Sequence, residues 1–448
     1  MPNTVPTKQT PMTLVYIALS IFLLILLINT FKVHPFPAFL LVSIFAAATL
    51  GLSIDKIATT LEKGIGDILS SLLILITFGA MFGKIIAVSG AAQKIAAVMM
   101  SWVGQKKIQW AMMIVGFIIG IPLFYGVGFV LMVPLIFSVV YKYKLPAVFI
   151  GLPMLAALSV THGFLPPHPS PSALVIQFNA NMGLTLVYGF ALAIPAIIIA
   201  GPFFAQFLKK IPSQPLQTFI SEDLPDDQLP GTFNSFFTAL LPVILLIATT
   251  FIQHVFTLSP TVQQLLIFLS SPSVVLMIVF FYSLFSLGVV QKLKMDDLMN
   301  HCTQAVKDVA TIILIIAGSG ALKEVFTQTG VSEEIANSLR ALPVPPLALG
   351  WLIAAIIRIC VGSATVAGLT TGSMILPLIQ STGTDPNLMV LAVGAGSLAF
   401  SHVNDSGFWM FKEYFNLTIK DTVLTWSVME SIVAIVGLIG VLLLNLVV

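Results

Sequence analysis

The chain has 448 residues, 58% hydrophobic and 8% charged, with a mean hydropathy of +1.04. That balance excludes a water-wetted globular domain and places the chain in a bilayer. The net charge of +2 gives no reason to expect a nucleic-acid or polyanion partner.

At about 20 apolar residues per helical span, this length allows roughly ten to fourteen membrane-crossing elements. A short polar segment, residues 1–11, leads into the first apolar run, Met12 to Phe31. That run lacks a small-residue cleavage pattern and reads as a retained span. Spans are expected at Phe36 to Ile54 and Ile68 to Val88, then a broken one at Leu145 to Ala180 and another at Leu184 to Leu208. Between the third and fourth lies Ile108 to Tyr141, whose middle, GIPLFYGVGF, carries Gly120, Pro122, Gly126 and Gly128. Those residues break a helix and predict a re-entrant hairpin. Residues 209–235 are proline-rich, contain Glu222, Asp223, Asp226 and Asp227, and read as a linker. The second half, 236–448, holds the matching hairpin, Pro345 to Gln380, with the tip VGSATVAGLTTG. Cys302 and Cys360 are the only cysteines and read as packing residues, with no metal or disulfide pattern.

The halves match. Gly90 aligned with Gly330, an offset of 240, sets GAMFGKIIAVSGAAQKIA against SGALKEVFTQTGVSEEIA. The amphipathic lead-ins from Asp55 and Asp296 coincide, as does PLI at Pro134 and Pro377. Matches in one order at nearly one offset indicate an internal duplication. Lys106, Lys107, Lys142 and Lys144 flank the first hairpin, which the positive-inside rule brings in from the cytoplasm. Glu333, Glu334, Arg340 and Asp385 flank the second, which is expected to enter from outside. The same rule puts Lys32, the linker's Lys209 and Lys210, and Lys292 and Lys294 in the cytoplasm, with both termini outside. The predicted fold is therefore an all-α polytopic membrane protein with two inverted-topology repeats, 12–208 and 236–448. Each repeat has about five spans, one re-entrant hairpin and one broken helix.

Each half has one polar interruption in its apolar sequence: THGFLPPHPSP from Thr161, and SHVNDSGFW from Ser401. Polar and ionisable groups at membrane depth belong where protein or water surrounds them, so two breaks in matching places point to a binding site. The first supplies His162, Gly163 and His168; the second supplies His402, Asn404, Asp405 and Ser406. Asp405, His162 and His402 are the candidates for gaining and losing a proton during a cycle. The hairpin tips add Gly126, Gly128, Gly362, Ser363, Thr365 and Thr370, whose amides and hydroxyls suit an anionic, hydroxylated solute. The structural alternatives are a histidine bonded to a neighbouring carbonyl and small residues that serve close helix packing. Arg358 suits a substrate carboxylate, a partner for Asp405, or a tie between hairpin and scaffold. Lys412, Glu413 and Glu430 read as interfacial or paired.

Taken together, THGFLPPHPSP, GSATVAG and SHVNDSGFWMFKEYFNLT resemble the gluconate permease family, and the resemblance runs from the first span to the last. It implies bacterial inner-membrane symport of gluconate or a related sugar acid with protons, and a homodimer in which a transport domain moves against a scaffold. It also implies that tips and breaks form the substrate site, and that His168 marks the gluconate-type motif. Family members differ in substrate, so small hydroxy acids and D-serine stay open, as does sodium coupling through unwound carbonyls. No cofactor is expected, and an HExxH motif or other hydrolase signature is absent from the sequence.

Overall fold

A computed structural model describes residues 10–104, 107–121, 125–166, 168–213, 215–216, 224–256, 259–331, 334–335 and 343–448. Lys106, Pro122, Pro167, Glu222, Asp223, Glu333 and Arg340 lie outside the described residues. The described residues form helices and connecting loops, with no strand among them. Among the described residues, seven helices are long and apolar enough to cross a membrane.

In the first half α1 (Thr10–Asn29) and α2 (Pro35–Thr49) lead to a long helix, α3 (Ile54–Val88). The amphipathic lead-in and the expected third span are thus one continuous helix, because nothing between Asp55 and Ile68 breaks it. After α4 (Ala91–Val103), the first hairpin consists of α5 (Ile108–Gly120) and α6 (Tyr125–Tyr143). The broken helix follows as α7 (Ala147–Phe164) and α8 (Pro169–Gln177), and α9 (Met182–Leu208) closes the half. In the second half α10 (Thr232–Val255), α11 (Pro260–Leu269) and α12 (Pro272–Val289) precede a second long helix, α13 (Met295–Gln328). Hairpin α14 (Pro346–Val361) and α15 (Ala364–Thr382) comes next, then the broken pair α16 (Pro386–Gly396) and α17 (Ser406–Tyr414), and finally α18 (Ile419–Leu444). The order long helix, hairpin, broken helix, final helix therefore occurs twice. Gly90 and Gly330, aligned by sequence, both take a left-handed conformation just after α3 and α13, with φ of 76° and 67°.

Packing repeats as well. The first arm of each hairpin lies along the first part of its own broken helix, α5 on α7 and α14 on α16. Small residues allow the approach: a Cβ on Gly116 would meet Met154, and one on Gly350 would meet Met389. α7 lies deepest, with all its residues buried except Phe149 and His162. α3 and α13 cross where Gly64 faces Gly320, each backbone within contact distance of the other's missing side chain. Pro134, Pro153 and Pro242 sit inside helices, which buried membrane helices tolerate where surrounding protein satisfies the freed carbonyl. Wider π turns interrupt α9 at Ile199–Phe203, α12 at Leu284–Val289 and α18 at Val423–Ser427.

Described residues of the segment between the halves are tied to the rest of the fold. Tyr141 Oη donates to Pro215 O (2.5 Å), Ser213 Oγ donates to Phe415 O (2.8 Å), and Leu216 N donates to Tyr414 O (3.1 Å). Gln93 exchanges two hydrogen bonds with the backbone of Leu224.

Candidate functional site

The second break is tied to the second hairpin tip by backbone carbonyls. α14 ends at Gly362, whose left-handed φ of 75° turns the chain and whose missing side chain leaves room for the Asn404 backbone. The last carbonyls of α14 would otherwise be unsatisfied. Asn404 Nδ2 donates to Ile359 O (2.8 Å) and Cys360 O (3.0 Å), and His402 Nε2 also bonds Ile359 O (2.8 Å). Ser363 then caps α15 by accepting from Val366 N.

Asp405 starts α17 as its N-cap, with Oδ1 accepting from Gly407 N (3.0 Å). Its other oxygen accepts from Arg358 Nη2 (2.5 Å) and from the Ser401 hydroxyl. The pair is buried, with side-chain exposures of 5% and 11%. Ser401 is itself held by Trp426 Nε1 (2.8 Å). Every Asp405 oxygen is therefore engaged, and Arg358 bridges hairpin and break.

Arg358 also faces a partly open cavity of about 250 Å³, where hairpin tips, breaks and long helices converge. Ile68 and Leu72 of α3 with Ser319 and Lys323 of α13 form one wall; Ser159 and His162 of α7 and Trp426 and Glu430 of α18 form another. A smaller space of about 100 Å³, lined by Gly64, Asp67, Gly320 and Glu324, shares Ile68 and Lys323 with it. Lys63 lies beside this smaller space, bonded to two of its lining residues, Asp67 (2.7 Å) and Glu324 (2.9 Å). Around the main cavity several buried polar atoms have no hydrogen-bond partner among the described residues: Arg358 Nε and Nη1, Tyr125 Oη, His162 Nδ1, Asn404 Oδ1 and both Glu430 oxygens. Buried polar groups in native proteins are otherwise almost all bonded. Unpartnered donors beside unpartnered acceptors suit a polar, anionic guest.

Of the residues singled out by sequence, Gly126, His162, Gly362, Ser363, Thr365, Asn404, Asp405 and Ser406 line this cavity. Five do not. His402 spends its Nε2 on Ile359 O. His168 bonds Gly120 O (2.9 Å) and sets its ring edge-on to His162, centroids 5.2 Å apart. Gly128 packs on Leu158, and Gly163 lies against Leu398 and the backbone of Gly394. Thr370 is half-buried on α15, away from the lining. Sequence reasoning missed Tyr125, Ser159 and Trp426 and set Glu430 aside. The only signal for Glu430 was an acid within the apolar run SVMESIVAIV.

Seven span-length apolar helices, two broken helices and two hairpins converging on a polar cavity define a multi-pass membrane transporter. A model of the GntP family permeases matches residues 12–447, and the chain belongs to that family; it is a permease and not an enzyme. It is 43% identical to the high-affinity gluconate transporter of Escherichia coli (strain K12) over 98% of this chain and all of that one. It is 42% identical to the Gnt-II system L-idonate transporter of the same organism, over 97% and 99%. With the gluconate permease of Bacillus subtilis (strain 168) it shares 41% identity over 98% of this chain and the whole of the other.

Proposed function

We propose that this chain takes up gluconate, or a sugar acid of the same size, together with protons across the bacterial inner membrane by alternating access. The observation that carries this reading is Arg358, a buried cation with one nitrogen on Asp405 and two others unpartnered at a polar cavity. A guanidinium presents donors in a planar fork that matches a carboxylate. The relatives' names, gluconate and L-idonate transporters, share that chemistry of a carboxylate on a polyhydroxyl chain.

In this reading the carboxylate docks on Arg358 Nε and Nη1. The hydroxyls are read by Tyr125, Ser159, Ser363, Thr365 and Asn404, since a buried polar atom left unpaired discriminates against solutes lacking the partner. Asp405 is the fixed counter-ion that keeps Arg358 in place. Uptake of one monoanion with one proton is electrically neutral, and further protons move positive charge inward, so the proton gradient drives accumulation in either case. Two inverted repeats, 12–208 and 236–448, would rock the hairpins and breaks against α3 and α13, with both termini outside and a homodimer as the working unit.

The test is uptake of labelled gluconate into proteoliposomes carrying the purified protein, with pH and sodium gradients imposed separately. Accumulation that follows the pH gradient and ignores sodium is expected. A sodium requirement would overturn proton coupling, and no gluconate uptake under either gradient would overturn the substrate.

A further inference from the structure

Glu430 is 1% exposed, projects from α18 into the cavity and has neither oxygen bonded among the described residues, with the Ser159 hydroxyl of α7 beside it. An ionised carboxylate without a partner is among the costliest groups to hold at membrane depth. The charged and titratable groups sharing the cavity are Arg358 of α14, Asp405 ahead of α17, Lys323 of α13, His162 of α7 and Tyr125 of α6. Arg358, the cation that acts on Glu430, already holds Asp405 at 2.5 Å, and that pair is neutral as a unit. Asp405 accepts three hydrogen bonds, so adding a proton there would break a built network, whereas Glu430, with the Ser159 hydroxyl beside it, is in no ion pair among the described residues.

We propose that Glu430 carries the coupling proton of this transporter, with Asp405 as the permanent partner of Arg358. This rests on the proton-coupled reading above and assigns its residue. A proton from extracytoplasmic water adds to a Glu430 carboxylate oxygen, and the cavity, relieved of that negative charge, then accepts the substrate anion on Arg358. With Glu430 ionised, the anion would share the cavity with a further negative charge and bind more weakly, so proton and anion bind together. When the cavity faces the cytoplasm the anion leaves and the O–H proton passes to water there, restoring the carboxylate.

The experiment compares wild type with Glu430→Gln, which keeps the shape and neutral charge of the protonated acid. In wild type, gluconate affinity falls about tenfold per pH unit on the alkaline side, as one-proton linkage requires; in Glu430→Gln it is flat. The variant exchanges internal for external gluconate but neither accumulates it down a pH gradient nor moves protons with it. Accumulation by Glu430→Gln, or a retained pH slope, would overturn the assignment. Should the variant fail to fold, or wild type take up no gluconate, infrared spectra of wild-type protein labelled with [13C]glutamate decide the point. A protonated-carboxyl band at neutral pH is expected, because the other buried glutamate among the described residues, Glu324, is ion-paired with Lys63; absence of the band overturns the proposal. Failure of wild-type uptake with the band present would instead count against the gluconate reading.

Discussion

The ion pair between Arg358 and Asp405 separates three effects that substitutions usually mix. Asp405→Asn keeps a side-chain oxygen for Gly407 N but removes the charge 2.5 Å from Arg358 Nη2. With both side chains almost fully buried, breaking the pair from one side costs about 3–5 kcal/mol, because the other charge is left uncompensated. Asp405→Ala loses the cap of α17 too, which adds about 1 kcal/mol. The double variant Arg358→Met, Asp405→Leu removes both charges and fills similar volume, so its stability should lie within about 1 kcal/mol of wild type after the cap is allowed for. The expected order is wild type and double variant, then Asp405→Asn, then Asp405→Ala, read by denaturant unfolding in lipid nanodiscs, with Arg358→Met and Asp405→Leu measured singly to close the double-mutant cycle. The three variants in that order lose gluconate binding. A double variant as unstable as the sum of its singles, or an Asp405→Asn protein as stable as wild type, would refute the buried-pair argument.

Substitutions at three further positions probe the surroundings. Gly362→Ala places a side chain at a φ of 75° and against the Asn404 backbone carbonyl; a loss of stability exceeding the about 1–2 kcal/mol of left-handed strain, and a loss of substrate affinity, are expected, with helix content by circular dichroism unchanged. His402→Gln can still donate to Ile359 O and should retain pH-driven uptake, whereas His402→Leu should lose it; loss in both would return His402 to the list of proton carriers. Lys63→Glu reverses a charge beside the smaller space adjoining the cavity, so uptake kcat/KM should fall at low ionic strength and converge on wild type at high salt. A salt-independent loss would mean that Lys63 acts by holding Glu324 and not by attracting the anion.

The breaks and hairpin tips were legible because their causes are local. Four prolines from Pro166 to Pro171 cannot continue a helix, and Gly362 supplies a turn wherever the chain is going. The cavity lining drawn from those segments, His162, Ser363 and Asn404 among it, could therefore be named in advance. The bonding of polar groups was harder to foresee. His168 and His402 are as polar as His162, yet their ring nitrogens meet the carbonyls of Gly120 and Ile359, partners 48 and 43 residues away. Glu430 was hard to place because its neighbours are mostly apolar, so no amphipathic pattern says which side of α18 it occupies. The continuity of α3 is not legible in hydropathy, which changes at Ile68, whereas the backbone needs a breaker to stop.

The π turn of α18 has an arithmetic consequence. In a regular helix successive side chains diverge by about 100°. Across the wider turn at Val423–Ser427, both Trp426 and Ser427 reach Ser401, one at its hydroxyl and the other at its carbonyl. A π turn amounts to one residue more than a regular helix would use for the same rise. Everything after it, Glu430 included, is dialled round by that single extra residue. Deleting one residue from the turn would leave composition and length almost unchanged while swinging the carboxyl of Glu430 out of the cavity and a neighbouring apolar side chain in. The site's chemistry is thus indexed by a count of residues as much as by their identity.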